Sequence, residues 1–355
     1  MTVRIENMKQ RDINLDLIRA AALLSIFVLH CLDNSGFYEQ PYVGAAAFVM
    51  GGMKVAFGYC VPVFLMLTGY LCCNKSFSKS YYVGILKVLL TYIVASLFCI
   101  AFEKLYLGET YSVRKAIGSL INFEVGYGWY IMLYVGLFLM IPFLNMMFHS
   151  TDTKEKKLAL LLTFFALSIL GSILNTYIHI WSVWWTRLYP LCYYFTGAYL
   201  SQSRPKQPAW KLGLLLLGLM LLFSGYNYLY FDGDPSRVHM ILDYANYQIF
   251  TVSVLLFQFI RALDLSRMAG WMHLLITRIS ELSLAAYLCS WITDGIIYRA
   301  FVPHFPQPSD RYAWTPLLVL AGLIGSLLLG QVVCWIYKPI EGFLKPRLLK
   351  LCREK

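Results

Sequence analysis

A chain of 355 residues with 59% hydrophobic, 16% aromatic and only 14% charged residues is too apolar for a water-soluble globule, in which about a quarter of the residues are charged. This composition excludes a soluble domain. The formal net charge of +11 must then be explained by placement about a membrane, with no need for nucleic acid.

Apolar runs long enough to cross about 30 Å of hydrocarbon fall at approximately residues 13–32, 43–72, 82–102, 127–148, 157–178, 181–200, 210–231, 243–261, 279–300 and 314–337. They predict an all-α, polytopic membrane protein with about ten transmembrane helices. A single integral-membrane domain occupies residues 1–355, with a cytoplasmic N-terminal segment at 1–12 and a basic cytoplasmic tail at 338–355. If the N-terminus is cytoplasmic, twenty Lys and Arg residues fall in cytoplasmic segments and six (Lys104, Arg114, Lys115, Arg237, Arg299, Arg311) in the opposite ones. That imbalance alternates loop by loop, as the positive-inside rule requires, and predicts an even number of spans with both termini cytoplasmic. Anionic lipid headgroups are the expected partners of the basic face.

The first run, Ile13 to Leu32, follows the basic residues Arg4, Lys9 and Arg11 like a secretory signal. It is full length, however, and leads into Cys31-Leu32-Asp33-Asn34 without a small-residue cleavage site, so it is read as an uncleaved first helix. It carries Asp16, Arg19 and His30. Eleven helical steps return to within about 20° of the same face, roughly 16 Å further along the axis, so Arg19 and His30 line one stripe at two depths, with Asp16 a turn before Arg19. Polar groups in such a seam must face something polar. Lys54, Lys87, Arg187, Glu281 and Asp294 are further ionisable groups near or within spans, and so functional candidates by default, with an interfacial position expected for Glu281. Trp181, Trp184 and Trp185, and Tyr226, Tyr228 and Tyr230, read as interfacial belts. The nine cysteines contain no Cys-x-x-Cys and lie mostly within spans, so neither a disulfide framework nor a metal site is expected.

These residues resemble the acyltransferase type 3 family, integral-membrane enzymes that O-acylate bacterial surface sugars. Asp16-Leu17-Ile18-Arg19, with ten residues before His30, is similar to the family's opening motif. Val61-Pro62 through Thr68-Gly69-Tyr70-Leu71 is similar to its Val-Pro run closing in Ser-Gly-Tyr-Leu, with threonine for serine. Trp129-Tyr130-Ile131 through Ile141-Pro142, and Ser283-Leu284-Ala285-Ala286-Tyr287-Leu288, resemble further segments. The chain departs from the pattern at Tyr127 and Ser290, where relatives often carry histidine, and keeps only Lys87 of a basic pair, with Gly84 at the other position.

The resemblance implies a multi-pass enzyme of the bacterial inner (cytoplasmic) membrane. It would move an acyl group, acetyl or succinyl, from cytoplasmic acetyl-CoA or another acyl-CoA to a hydroxyl of a lipid-linked or surface glycan, with no resident cofactor and no metal. It implies His30 as base or acyl relay, and Arg19, paired to Asp16, as organiser of the donor end; Lys87, Thr68, Trp129, Tyr127 and Ser290 are candidates for binding donor or acceptor. Histidine suits either role because its unperturbed pKa is near 6.5. With the chain ending shortly after its last helix, the membrane domain is expected to act alone or with a partner. Other readings stay open from the residues alone: Arg19 snorkelling to headgroups, Thr68 bonding its own preceding carbonyl, a glycan exporter or flippase on the same helices, and a relative without activity.

Overall fold

The computed structural model describes residues 11–110, 112–175, 178, 180–231, 233, 234 and 243–353. Arg4, Lys9, Arg237 and Lys355 of the charge pattern lie outside them. Among the described residues the protein is all-α, and the one β-type contact is an isolated bridge between Tyr42 and Gly233. The helices of twelve residues or more are α1 (Ile13–Asn34), α2 (Gly44–Phe57), α3 (Cys60–Cys72), α4 (Leu86–Leu105), α5 (Trp129–Ser150), α6 (Lys154–Ser168), α7 (Tyr189–Leu200), α8 (Ala209–Phe231), α9 (Tyr247–Ala262), α10 (Gly270–Phe301) and α11 (Thr315–Arg353).

Among the described residues, seven stretches are long and apolar enough to cross a membrane: Ile13–Glu39, Gly44–Cys72, Lys79–Leu105, Trp129–Ser150, Lys154–Leu174, Ala209–Phe231 and Pro308–Cys352. Ten were expected, and the three that fall short do so for distinct physical reasons. The run 181–200 is broken into a turn at Val183–Thr186 and the 12-residue α7, and the run 243–261 forms α9, only 16 residues long. The run 279–300 lies within the 32-residue α10, where length is ample but Ser280, Ser283, Ser290, Thr293 and Asp294 dilute the apolar character. All five are buried. A helix at the centre of a membrane bundle faces protein rather than lipid, and so carries the polar residues that a hydropathy reading penalises.

Helix α1 starts at Asp12, whose carboxylate accepts from the Asn14 backbone N–H at 3.0 Å and so satisfies one of the free donors of the first turn. The Asn14 amide in turn donates to Ile260 O at 2.6 Å and Leu263 O at 2.9 Å, closing the open carbonyl end of α9. Two close crossings set the frame around the site. Helices α3 and α7 meet through glycines: a Cβ at Gly69 would lie 1.9 Å from Tyr194 O, and one at Gly197 would lie 1.9 Å from Met66 O. Helix α11 crosses α10 with Gly330 against the Ala286 backbone, where a Cβ would lie 2.8 Å from the amide nitrogen. Without a hydrophobic drive between helices in lipid, such backbone-to-backbone approaches supply the packing. Gly69, part of the Thr-Gly-Tyr-Leu motif, is thus a helix-crossing residue.

Candidate functional site: a cavity between two polar pairs

Asp16, fully buried on α1, gathers three donor residues, Arg11 reaching it through both Nε and Nη2. Its Oδ1 accepts from Ser280 Oγ at 2.6 Å and from Arg19 Nη1 at 3.1 Å, and its Oδ2 pairs with Arg11 Nε at 2.5 Å. Arg11 also reaches Glu281 Oε1 at 2.7 Å, and Glu281 pairs with Arg278 at 3.2 Å. The hydrogen bonding that Arg11 donates to Asp16 raises the pKa of Arg11 above its ordinary value. With Asp16 neutralising it on one side, the Arg19 guanidinium keeps donors free for the cavity it lines.

Toward the other end of α1, His30 Nδ1 lies 2.8 Å from Asp294 Oδ2 on α10, a close approach whose angles do not make a hydrogen bond, between groups with 13% and 6% of their side chains exposed. Tyr127 donates its hydroxyl to the same oxygen at 2.9 Å. The rings of Tyr127 and His30 lie 4.2 Å apart between centroids, inclined by 31°. Tyr127 is held in turn, because the Tyr287 hydroxyl donates to its backbone carbonyl at 2.7 Å and Trp291 meets its ring edge-on at 5.3 Å. The Asn34 amide donates to His30 O at 2.8 Å, fixing the last turn of the helix. Asp16 with Ser280 and His30 with Asp294 are each fourteen residues apart on their own helices, so α1 and α10 run parallel and in register over about 21 Å.

One cavity of about 800 Å³ joins the two ends. Arg11, Arg19, Lys87, Lys338 and Glu281 line it alongside the Asp16 cluster, while His30, Asp33, Lys54 and Tyr127 line it alongside Asp294. Between them the wall is apolar and aromatic, with Val61, Phe64, Tyr130 and Tyr287. A positively charged end, an apolar passage and a histidine-bearing end can accommodate an elongated, anion-headed molecule whose far tip reaches the imidazole.

Of the residues singled out from the sequence, Arg19, His30, Lys87, Thr68, Trp129 and Tyr127 all line this cavity, and Asp16 stands directly behind Arg19. Thr68 Oγ1 donates to Phe64 O at 2.9 Å, so the hydroxyl hydrogen is already committed within its own helix. Trp129 stacks on Tyr244, with ring centroids 6.2 Å apart and planes inclined by 16°. Ser290 is fully buried, does not line the cavity and donates to Tyr287 O at 2.7 Å. Arg11, Ser280 and Lys338 were not singled out from the sequence, and Asp294 was only one ionisable group among several. Ser280, Tyr287 and Asp294 recur every seven residues on α10, and that period marks one face of a helix. Among the described residues no group of three or more His, Cys, Asp or Glu side chains is arranged to hold a metal ion.

No curated protein and no solved structure matches the chain. A family model described as an acyltransferase domain matches residues 12–335, which takes in every cavity-lining residue except Arg11, Tyr337 and Lys338. The chain belongs to the acyltransferase type 3 family, as a polytopic membrane protein.

Proposed function

We propose that the protein is a bacterial inner-membrane O-acyltransferase that takes an acyl group, acetyl or succinyl, from cytoplasmic acyl-CoA and delivers it to a hydroxyl of a lipid-linked or surface glycan. The observation that carries this reading is the single cavity connecting the Arg19–Asp16 pair to the His30–Asp294 pair. The anionic headgroup of the donor is held by Arg19 and its neighbours Arg11, Lys87 and Lys338, and the thioester arm extends along the apolar passage toward His30.

At that end the Asp294 carboxylate lies beside Nδ1 of His30, and in the proposed reaction a small rotation of the imidazole brings Nδ1–H onto it, so that Nε2 acts as base. Nε2 removes the proton of the acceptor hydroxyl as its oxygen attacks the thioester carbonyl. The C–S bond then breaks, the CoA thiolate leaves, and the proton held on His30 returns to it. An acyl relay uses the same nitrogen as nucleophile: Nε2 attacks the thioester carbonyl, the C–S bond breaks and the CoA thiolate leaves, and the acceptor oxygen then takes the acyl group from Nε2 while its proton passes to the thiolate. The ester product is the same by either route.

Transfer between compartments requires that the two ends of α1 face opposite sides. We infer ten crossings with both termini cytoplasmic, α7, α9 and α10 supplying the three beyond the seven long apolar stretches. The twenty-to-six charge imbalance supports this. So does the register: α10 runs parallel to α1, while α11, pairing Ser326 with Thr293 and Gly330 with Ala286, runs back against α10. Chemical analysis of surface glycans from cells with and without the gene tests the function. An ester lost with the gene and restored by the wild-type chain identifies acceptor and acyl group together. Glycan that fails to reach the surface, with no ester in either strain, would instead point to an exporter.

A further inference from the structure

Lys54, on α2, is 2% exposed, and it lines the same cavity as His30. Its ammonium sits 5.1 Å over the Tyr38 ring, and among the described residues no carboxylate oxygen comes within ion-pair distance of it. Asp33 lines the cavity too, beyond that distance. A π-face stabilises a cation only in part, and a buried charge in a membrane protein marks a ligand or ion pathway when no protein group neutralises it. Trp129, Tyr130 and Tyr244 also line the cavity, an aromatic lining of the kind that small-molecule sites use.

We propose that Lys54 binds an anionic group of the acceptor, so that the glycan substrate is acidic at or beside the acylated residue. This rests on the acyltransferase reading for its direction, since it places Lys54 on the acceptor side of His30. The anion has two chemical sources, the carboxylate of an acidic sugar or the diphosphate that joins a sugar to its lipid carrier. Both are recognised by one ammonium through charge-assisted hydrogen bonds.

The full chain in lipid nanodiscs is titrated calorimetrically with three probes: a uronic-acid-containing oligosaccharide, its carboxyl-reduced neutral counterpart, and geranyl diphosphate. The wild type is expected to bind one anionic probe about ten- to a hundredfold more tightly than Lys54→Met does, the span of a charge-assisted hydrogen bond, with Lys54→Arg keeping most of the affinity and the neutral sugar indifferent to all three forms. Lys54 dependence for the uronate places the anion on the sugar, and for the diphosphate on the lipid linker. Equal binding of both anionic probes by wild type and Lys54→Met, or no binding by either form, overturns the proposal; should Lys54→Met fail to fold, Lys54→Gln takes its place. Transfer of labelled acetyl from acetyl-CoA is followed in parallel. Lys54-dependent binding without any transfer would overturn the acyltransferase reading and leave the anion site standing, whereas transfer that is indifferent to Lys54→Met would overturn the anion site and leave the acyltransferase standing.

Discussion

Asp294 and His30, 264 residues apart in the chain, meet at 2.8 Å, and the same two helices meet again between Asp16 and Ser280 at 2.6 Å. Because both contacts are in register, any shift of α10 along α1 breaks both. His30 is thereby fixed relative to the Asp16 cluster by a pair of helices. Asp294→Asn keeps the volume but removes the charge that orients the imidazole, and it should lower kcat by about 10²-fold or more while leaving the KM for acyl-CoA unchanged. A general loss of folded protein, or a rise in donor KM with kcat intact, would deny Asp294 this positioning role.

Arg19 tests the other end. Arg19→Lys keeps a positive charge but loses the planar fork that pairs with Asp16 and faces the cavity, and lysine does not replace arginine at an organised anion site. The donor KM should rise about tenfold, the equivalent of roughly 1.4 kcal/mol. Unchanged turnover at normal expression would show Arg19 to be reaching for headgroups instead.

The glycine crossing makes a prediction about stability. A methyl group at Gly69 or Gly197 has backbone at 1.9 Å, with no flexible side chain to move aside, so Gly69→Ala should force α3 and α7 apart at a cost of about 1–3 kcal/mol. A lowered unfolding temperature in detergent checks this, and an unchanged one contradicts it.

Much of the first helix was legible in advance, since Asp16, Arg19 and His30 share a face by local periodicity alone. The helical class and the membrane setting followed from composition. What the sequence could not show was pairing between distant segments: nothing in the order of residues says that Ser280 and Asp294 answer Asp16 and His30. The sequence counts α7, α9 and α10 as spans, but α10 carries a polar interior face and α7 and α9 are short, so none of the three is among the seven long apolar stretches of the described residues. Arg11 was read only as one of the basic residues preceding the first helix, whereas it folds back onto Asp16 and bridges to Glu281. That return needs α10 in place, so no local pattern announces it.

Topology is open to direct mapping. Cysteine labelling should place Lys9, Lys156, Lys206 and Lys350 in the cytoplasm, and Phe37, Asp234 and Pro308 outside. Both termini on one side, with α10 crossing in the same direction as α1, follows from ten spans. An external C-terminus would overturn that count.

The most direct measurement is acyl transfer by His30 variants. Proton removal by a positioned base contributes about 10²- to 10⁴-fold in rate, whereas a histidine that merely packs would cost stability and little chemistry. His30→Ala and His30→Gln are therefore expected to insert, purify and bind acyl-CoA nearly as the wild type does, yet to leave the glycan without its ester. Full glycan O-acylation by either variant would contradict His30 as the catalytic residue.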